Sequence, residues 1–205
     1  MADRRDGSRR RALPIASLVG WALLAYPASL VAHDDLADAR DYCVGAGGQV
    51  QERQAMWGTN GDPAEWMDLG RSIELCRFQA DDEAASRIYV DLVTLWSEQP
   101  SLAAGAYLAR VPMEVDVAQG NPATTYCHEL GGSAQFGIGA QGGGWVAMED
   151  PVDQVVAMCV FPDGSMIDEW GIAYMSSGEV RGADLSTLFR SATQTYPPYF
   201  GSEAG

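Results

Sequence analysis

The acidic residues best placed for acid–base chemistry lie in the second half of the chain. Asp163, Asp168 and Glu169 fall within seven positions, and carboxylates this close in sequence could act as acid and base or bind calcium. A calcium loop also needs oxygen ligands at alternate positions and a distal Glu, so turn and helix-capping roles are favoured. Of the two histidines, His33 and His128, only His128 could serve a Ser-His-Asp or Cys-His mechanism, and we interpret it as a solvated helix residue. We therefore predict no catalytic residue and no metal site.

A glycine-rich stretch, residues 137–142, has the glycine spacing of a dinucleotide-binding loop. That motif requires a helix directly after the loop, so that the helix N-terminus can hold a pyrophosphate. Two further glycines and Trp145 follow instead. We expect a hairpin turn at this place and no cofactor.

An internal repeat organises the chain around these residues. A Tyr-Cys pair and a Gly-Gly pair recur at an offset of 84, and a Cys-x-Phe motif recurs at an offset of 83. The matching positions are Tyr42-Cys43 and Tyr126-Cys127, Gly47-Gly48 and Gly131-Gly132, and Cys76-x-Phe78 and Cys159-x-Phe161. This agreement predicts an α+β fold of two small tandem repeats, each a helix packed on a short antiparallel β-sheet. The predicted division is an N-terminal segment at 1–32, a degenerate repeat at 33–110, a linker at 111–118, a clearer repeat at 119–192 and a C-terminal tail at 193–205.

The opening helix of the second repeat has a start signal and a stop signal. Asn121 can accept from the free amides of a first helical turn, and Pro122 loses no hydrogen bond at the first helical position. Gly131 and Gly132 then predict the helix end, because glycine readily adopts the left-handed conformation that closes a helix. We therefore expect a helix between these two signals.

The elements that follow are predicted from changes in apolar spacing. Alternating apolar residues at 134–138 and an apolar run at 155–161 predict an antiparallel hairpin, and a short helix around Trp170 follows. The first repeat has the same opening helix but differs later, because its apolar residues from Ile88 to Trp96 have helical spacing. We expect a helix there and a first repeat that has drifted.

The four cysteines of the chain are Cys43, Cys76, Cys127 and Cys159. In an exported protein they most simply form two disulfides. The repeat favours pairing Cys43 with Cys76 and Cys127 with Cys159, one bridge within each repeat, from its first helix to its central strand. Free or redox-active thiols and a metal site of four thiolates are the alternatives, although no pair has the ligand spacing of a zinc site.

Residues 1–32 have the pattern of an export signal. An arginine-rich start precedes a run from Leu13 to Ala32 that contains no charge, with small residues near its end. The start partly resembles a twin-arginine signal. The run also just reaches the length needed to span a bilayer, so a cleaved signal peptide and a retained membrane anchor both stay open. In either case the arginines stay inside and the following residues lie in the periplasm.

The charge of the chain argues against nucleic acid as a partner. The 205 residues include 13 arginines, no lysine and 28 acidic residues, for a net charge of −15. Residues 33–205 contain 8 of the arginines and 26 of the acidic residues, for a net charge of −18. Because phosphates are bound by Lys and Arg, we expect no nucleic-acid binding. A field this acidic is suited to a basic partner surface.

The motifs of the second repeat resemble a known family, the small bacterial exported domain of unknown function that is often labelled a hemolysin. The likeness is clear at about 121–175 and degenerate at about 36–108, and it implies an envelope location and a compact disulfide domain. Many members have a further cysteine where this chain has Ile167. The motif positions are Asn121, Pro122, Tyr126, Gly131, Gly132, Pro162, Asp163, Gly164, Asp168, Glu169 and Trp170.

Three tryptophans are the candidates for contact with a partner. Trp57, Trp66 and Trp145 lie in glycine-rich or polar stretches, whereas Trp96 and Trp170 lie in apolar periodic runs and are expected in the core. We expect a non-enzymatic protein of the cell envelope that binds a protein partner or serves as an accessory subunit of a membrane complex. The alternative is a secreted or surface protein that acts on membranes.

Overall fold

Several helices of this chain begin directly after a residue whose side chain accepts a hydrogen bond from a backbone N–H of the first helical turn. The computed structural model describes residues 33–114, 120–136 and 142–195. Its helices are α1 (His33–Gly45), α2 (Leu92–Trp96), α3 (Leu102–Ala109), α4 (Pro122–Glu129) and α5 (Glu169–Ser176). Its strands are β1 (Gln49–Trp57), β2 (Met67–Gln79), β3 (Arg87–Asp91), β4 (Ser133–Ala134), β5 (Gly143–Val146), β6 (Val155–Val156), β7 (Met158–Val160) and β8 (Met166–Asp168). Single 3₁₀ turns occur at Pro63–Glu65, Leu185–Thr187 and Arg190–Thr193.

Helix α4 begins and ends where the sequence predicts. The side-chain oxygen of Asn121 accepts from the backbone N–H of Ala123 at 3.0 Å, and Pro122 occupies the first turn. Gly131 adopts a φ of +79°, which favours glycine because it has no Cβ. These signals make α4 a short helix of two turns with defined ends.

The strands form one antiparallel sheet in the order β4-β7-β8-β3-β2-β1-β5-β6. Strand β6 is at one end of the pairing order and β7 is next to β4, the strand at the other end, yet only Ala157 separates β6 from β7 in the chain. The sheet is therefore curled, and Ala157 joins its two end regions. The backbone carbonyl of Ala157 accepts from the N–H of Glu169 at 3.1 Å, which attaches the start of α5 to this seam.

Strands from both halves of the chain share this sheet, whereas the sequence predicts a separate small sheet in each half. Val90 of β3 pairs with Ile167 of β8, and β1 pairs with β5. The strands of the second half have two to four residues. Such short strands leave backbone donors and acceptors unpaired unless neighbouring strands cover them, and the long strand β1 supplies that neighbour for the pair β5–β6.

The continuous helix expected from Ile88 to Trp96 is wrong. The first part is strand β3, and only Leu92–Trp96 is helical. The carboxylate of Asp91 accepts from the backbone N–H of Thr94 at 2.9 Å, so Asp91 is the cap that starts α2. Apolar residues in this stretch serve two elements in turn, which explains why their spacing imitates a single helix.

Two buried clusters lie on the two faces of the sheet. The larger one joins the helices to the outer face, and it contains the aromatic pair Tyr107 and Phe189, whose ring centroids are 5.8 Å apart. The smaller one lies inside the curl. Its buried members are Ala55, Leu75, Tyr89, Trp145, Val156 and Met158.

The predicted disulfides Cys43–Cys76 and Cys127–Cys159 are confirmed, and they tie α1 to β2 and α4 to β7. A glycine faces the sulfurs at each bridge. A Cβ built on Gly48 would lie 2.4 Å from the sulfur of Cys76, and a Cβ built on Gly132 would lie 2.4 Å from the sulfur of Cys159. Only glycine fits against these bridges without a shift of the sulfur.

Several sequence predictions fall outside the described residues. They are the export signal or anchor at 1–32, most of the glycine-rich loop at 137–142, part of the linker at 111–118 and most of the tail at 193–205. Within the ranges that the structure describes, no helix is long and apolar enough to cross a membrane.

Candidate functional site

Asp163 and Ser165, in the Pro-Asp-Gly-Ser turn, cap a helix of the other half of the chain. Asp163 accepts from the backbone N–H of Leu102 at 2.7 Å, and the hydroxyl of Ser165 accepts from the N–H of Ala103 at 2.9 Å. The cap residue Ser101 accepts from Ala104 at 3.3 Å. Three N–H groups at the start of α3 are thereby satisfied, so Asp163 has a structural role here.

Asp168 caps α5 from a buried position. Its side chain accepts from the backbone N–H of Trp170 at 2.9 Å, and only 7% of the residue is exposed. Burial raises the pKa of Asp168 to about 7, against the opposing effects of the backbone N–H groups of Gly171 and Trp170. Asp168 is therefore held at the end of β8 rather than presented to solvent.

A buried ionic network inside the curl was not predicted from the sequence. Arg53 and Asp150 have fully buried side chains and form an ion pair at 3.2 Å. Arg53 also donates to the backbone carbonyl of Trp145 at 3.0 Å and to the hydroxyl of Tyr89 at 3.2 Å. Burial opposes ionisation of Asp150, but backbone N–H groups of Asp153 and Val152 and nearby arginines hold its pKa well below the usual range. No local sequence pattern indicates this network, because its members come from distant strands and loops.

A cleft lies beside the seam at Ala157. Its volume is about 590 Å³, and helices α4 and α5 form two of its walls. We call it the Glu169 cleft. The lining side chains used below are Asn121, Thr124, His128, Phe136, Glu169 and Trp170. No arginine is among the described residues that line it.

Glu169 is the buried acid of this cleft, with 1% of its surface exposed. One carboxylate oxygen, Oε2, accepts from the hydroxyl of Thr124 at 2.6 Å. The other oxygen, Oε1, is buried and has no hydrogen-bond partner in the structure. Burial raises the pKa of Glu169, while the Thr124 hydrogen bond and the proximity of His128 oppose that rise. A buried acceptor without a donor costs about 1–3 kcal/mol, so Glu169 is placed at a cost to stability.

Trp170 and His128 lie at the accessible part of the Glu169 cleft. Trp170 is 41% exposed, which corrects the expectation that it belongs to the core. The reason is that Glu169 and Ile172 lie on the buried side of α5, whereas Trp170 lies on the side that faces solvent. The Nε2 atom of His128 accepts from the backbone N–H of Ala134 at 3.3 Å, so this nitrogen is already occupied.

A second cleft lies in the first half of the chain. Its volume is about 420 Å³, and Arg40, Glu74 and Leu92 are among its lining residues. Arg40 forms an ion pair with Glu74 at 2.6 Å. Leu92 follows the helix cap Asp91 as Glu169 follows the helix cap Asp168.

The three tryptophans predicted to contact a partner occupy different environments. Trp57 is 37% exposed and lines a separate apolar cleft with Leu69. Trp66 is half-buried, and its indole N–H donates to the carbonyl of Gly61 at 3.2 Å. Trp145 is only 1% exposed, so it offers no exposed surface for contact. Its side chain packs in the cluster inside the curl, where Phe136 lies against it, and this packing explains the burial.

The acidic, histidine and cysteine residues of the described ranges form no group of three that could hold a metal ion. The structure brings only part of the predicted motif into the Glu169 cleft. Asn121, Glu169 and Trp170 line it, whereas Asp163 lies at the start of α3. Sequence reasoning missed Thr124, whose signal is its place one turn after the helix cap.

Residues 118–175 match the family model of a domain of unknown function (DUF333). The match contains helix α4, all of helix α5 except its last residue, and the disulfide Cys127–Cys159. No curated protein matches the chain, and no solved structure matches it.

Proposed function

We propose that this chain is a non-enzymatic protein of the cell envelope that binds a protein partner through the Glu169 cleft, as an accessory subunit. The observation that carries the proposal is the unpartnered Oε1 of Glu169 in a cleft whose rim is the exposed ring of Trp170. A buried acceptor that lacks a donor requires an explanation, and a functional role of the group is one such explanation. Exposed aromatic rings are common anchors of protein interfaces.

The chemistry of the cleft favours binding over catalysis. Hydrolytic acid–base mechanisms commonly use a second acid or an available histidine. Here Asp163 and Asp168 serve as helix caps, and the Nε2 of His128 is occupied by Ala134. Glu169 is left as a single acid, which suits recognition of a partner group.

We also infer that residues 33–110 and 119–192 are two copies of one unit. Val50 pairs with Cys76 and Ala134 pairs with Cys159, so the two cystine strands have matching registers at an offset of 84 and 83. The equal approach of Gly48 and Gly132 to their bridges supports the same inference. In this interpretation the first copy has the ion pair Arg40–Glu74 in its cleft, and the described lining of the second cleft contains no arginine.

An envelope location is supported by the sequence alone. The arginine-rich start and the uncharged run from Leu13 to Ala32 have the pattern of an export signal. Intact mass of the native protein, with and without reductant, tests this proposal. A mass that lacks residues 1–32 would indicate a periplasmic protein, and a full-length mass would indicate an anchored one. Both outcomes agree with the proposal. Recovery of the chain in the cytoplasm with four free thiols would contradict it.

Co-purification of the tagged protein from detergent extracts at low salt tests the binding function. We expect a partner to be recovered with the native chain and lost with Trp170→Ala. Trp57→Ala removes a similarly exposed indole that lines a different cleft and is expected to keep the partner. Repeated recovery of the chain alone, or equal recovery of the partner by Trp170→Ala, would overturn the proposed site.

The membrane-active alternative predicts leakage of liposomes. We expect no dye release at micromolar protein, because residues 33–205 carry a net charge of −18 and contain no lysine. Helices that bind membrane surfaces usually combine an apolar face with basic residues. Release by the native chain would favour the alternative.

A further inference from the structure

We propose that Glu169 is the counter-ion of a basic side chain, the guanidinium of an arginine or the ammonium of a lysine, which a partner protein inserts into the Glu169 cleft. This inference rests on the proposed function, because it names the chemistry by which that cleft recognises its partner.

One carboxylate oxygen of Glu169 has a hydrogen-bond donor, and the other has none. Thr124 donates to Oε2 at 2.6 Å, and Oε1 is buried with no donor. The described lining contains no arginine, and the chain has no lysine. A cation that satisfies Oε1 must therefore come from another molecule if it is to be a Lys or Arg side chain. Charge-assisted hydrogen bonds of this kind are shorter and stronger than neutral ones.

The rim has the groups that accompany a basic side chain. Trp170 is 41% exposed and is the next residue after Glu169, and half-buried Phe136 lines the same cleft. Aromatic faces attract cations and also cover the aliphatic stems of Lys and Arg. A buried carboxylate with aromatic rings near the entrance of the cleft fits a long side chain that carries its charge at the tip.

The first half of the chain contains an arginine in the corresponding cleft. Arg40 on α1 occupies the position that matches Thr124 on α4 at the offset of 84, and its guanidinium pairs with Glu74. Its Nε lies 2.8 Å from Oε2 of that glutamate, and its Nη2 lies 2.6 Å from the same oxygen. The first cleft contains its own guanidinium and has no acid at the position after the helix cap. Leu92 follows the cap Asp91 there, as Glu169 follows the cap Asp168 in the second cleft. The second cleft has the acid, and its described lining contains no arginine.

The charge of the whole body favours the same kind of partner. Residues 33–205 have a net charge of −18, and a field of one sign attracts segments of the opposite sign and repels acidic ones. A basic segment would thus be steered toward the body before its side chain enters the cleft.

Titration with a capped tripeptide tests the inference directly. The full chain, with both disulfides formed, is titrated with acetyl-Gly-Arg-Gly-amide, and the indole N–H signal of Trp170 is followed by NMR. The matched probe carries citrulline in place of arginine, which keeps the shape and removes the charge. We expect a saturable shift with the arginine peptide and about tenfold weaker binding of the citrulline peptide, the loss of one charge-assisted contact.

Two variants separate the acid from general charge. Glu169→Gln is expected to weaken the arginine peptide about tenfold. Glu179→Gln makes the same change of charge at an exposed position outside the cleft and is expected to leave binding unchanged. Unchanged backbone spectra in both variants show that the fold is retained.

Three results would overturn the inference. They are equal binding of the citrulline peptide, unchanged affinity in Glu169→Gln, and no shift with the arginine peptide up to its solubility limit. The inference can also fail while the proposed function stands. If the co-purified partner is lost with Trp170→Ala but retained by Glu169→Gln, the cleft is the binding site and the partner is not recognised through a cation.

Discussion

The carboxylate of Asp163 accepts a hydrogen bond from the backbone N–H of Leu102 at 2.7 Å, across 61 residues of the chain. The same carboxylate accepts from the hydroxyl of Ser165 at 2.6 Å, which fixes the turn in the cap geometry. A turn in one half of the chain thus determines where a helix of the other half begins. The helix cap is part of the interface between the halves.

Replacing Asp163 with alanine is expected to destabilise the whole body. The change removes the acceptor for Leu102 and frees the hydroxyl of Ser165, so we expect a loss of about 2 kcal/mol in the free energy of unfolding. Urea denaturation followed by circular dichroism measures it. Asp62→Ala is the control, since Asp62 caps only the exposed turn Pro63–Glu65. Equal losses in the two variants would contradict the role given to Asp163.

The glycines that face the disulfides give a second prediction. Gly48→Ala and Gly132→Ala each place a Cβ 2.4 Å from a bridge sulfur, so we expect each to cost about 2 kcal/mol. Gly45→Ala is the control, because nothing lies within 4 Å of its Cβ. Thermal unfolding should show lower midpoints for the first two variants and no loss for the third.

Asp150→Asn tests the network inside the curl. The change leaves Arg53 buried beside a neutral side chain, and uncompensated buried charges are strongly destabilising. We expect a loss of about 3 kcal/mol in the free energy of unfolding. Glu149→Gln removes a charge from the neighbouring exposed position and should change stability by less than about 0.5 kcal/mol. Similar effects of both variants would show that the network contributes little.

The pKa of Asp168 predicts a pH dependence of stability. Burial raises this pKa from an ordinary 3.8 to about 7, so the folded state binds more protons than the unfolded state between these two values. Stability from this group is then present in full below about pH 4 and is lost as pH rises to about 7. Asn keeps a cap acceptor and cannot ionise. We expect Asp168→Asn to exceed the native chain in stability at pH 8, by up to about 4 kcal/mol, and to match it near pH 4.

Asp184 provides a control with the opposite sign. It caps the turn Leu185–Thr187, and its pKa is lowered because the side chain and backbone of Ser186 donate to it against the effect of burial. Asp184→Asn should therefore be less stable than the native chain at neutral pH, with the difference lost as pH falls. Unfolding curves at several pH values decide both cases. Parallel profiles for the native chain and Asp168→Asn would show that Asp168 has an ordinary pKa.

The local features of this fold are predictable from sequence, and the contacts between distant segments are not. Asn121 and Gly131 mark the ends of a helix because the physics of helix ends acts within a few residues. The cysteine partners could also be predicted, because the repeated spacing places one pair of cysteines in each half of the chain. Arg53 and Asp150 lie 97 residues apart in the chain, and no periodicity records that β5 pairs with β1.

The site was predicted in part for a related reason. Glu169 and Trp170 could be singled out from the motif, but their roles could not be assigned. The prediction that Trp170 is buried and Trp145 exposed came from the polarity of their neighbours in sequence. In the structure each residue follows its element instead, since Trp145 lies on a strand with a partner on each side and Trp170 on the outer surface of a helix.

The pairing order of the curled sheet means that early strands have their partners late in the chain. The first strands to leave the ribosome, β1 to β3, keep open outer edges until β5 and β8 arrive to pair with them. A nascent chain that stops before residue 143 therefore exposes both edges to neighbouring chains, the situation that holding chaperones relieve. Completion of the body depends on its last strand, so truncated products should be removed by proteases rather than persist as a folded first half.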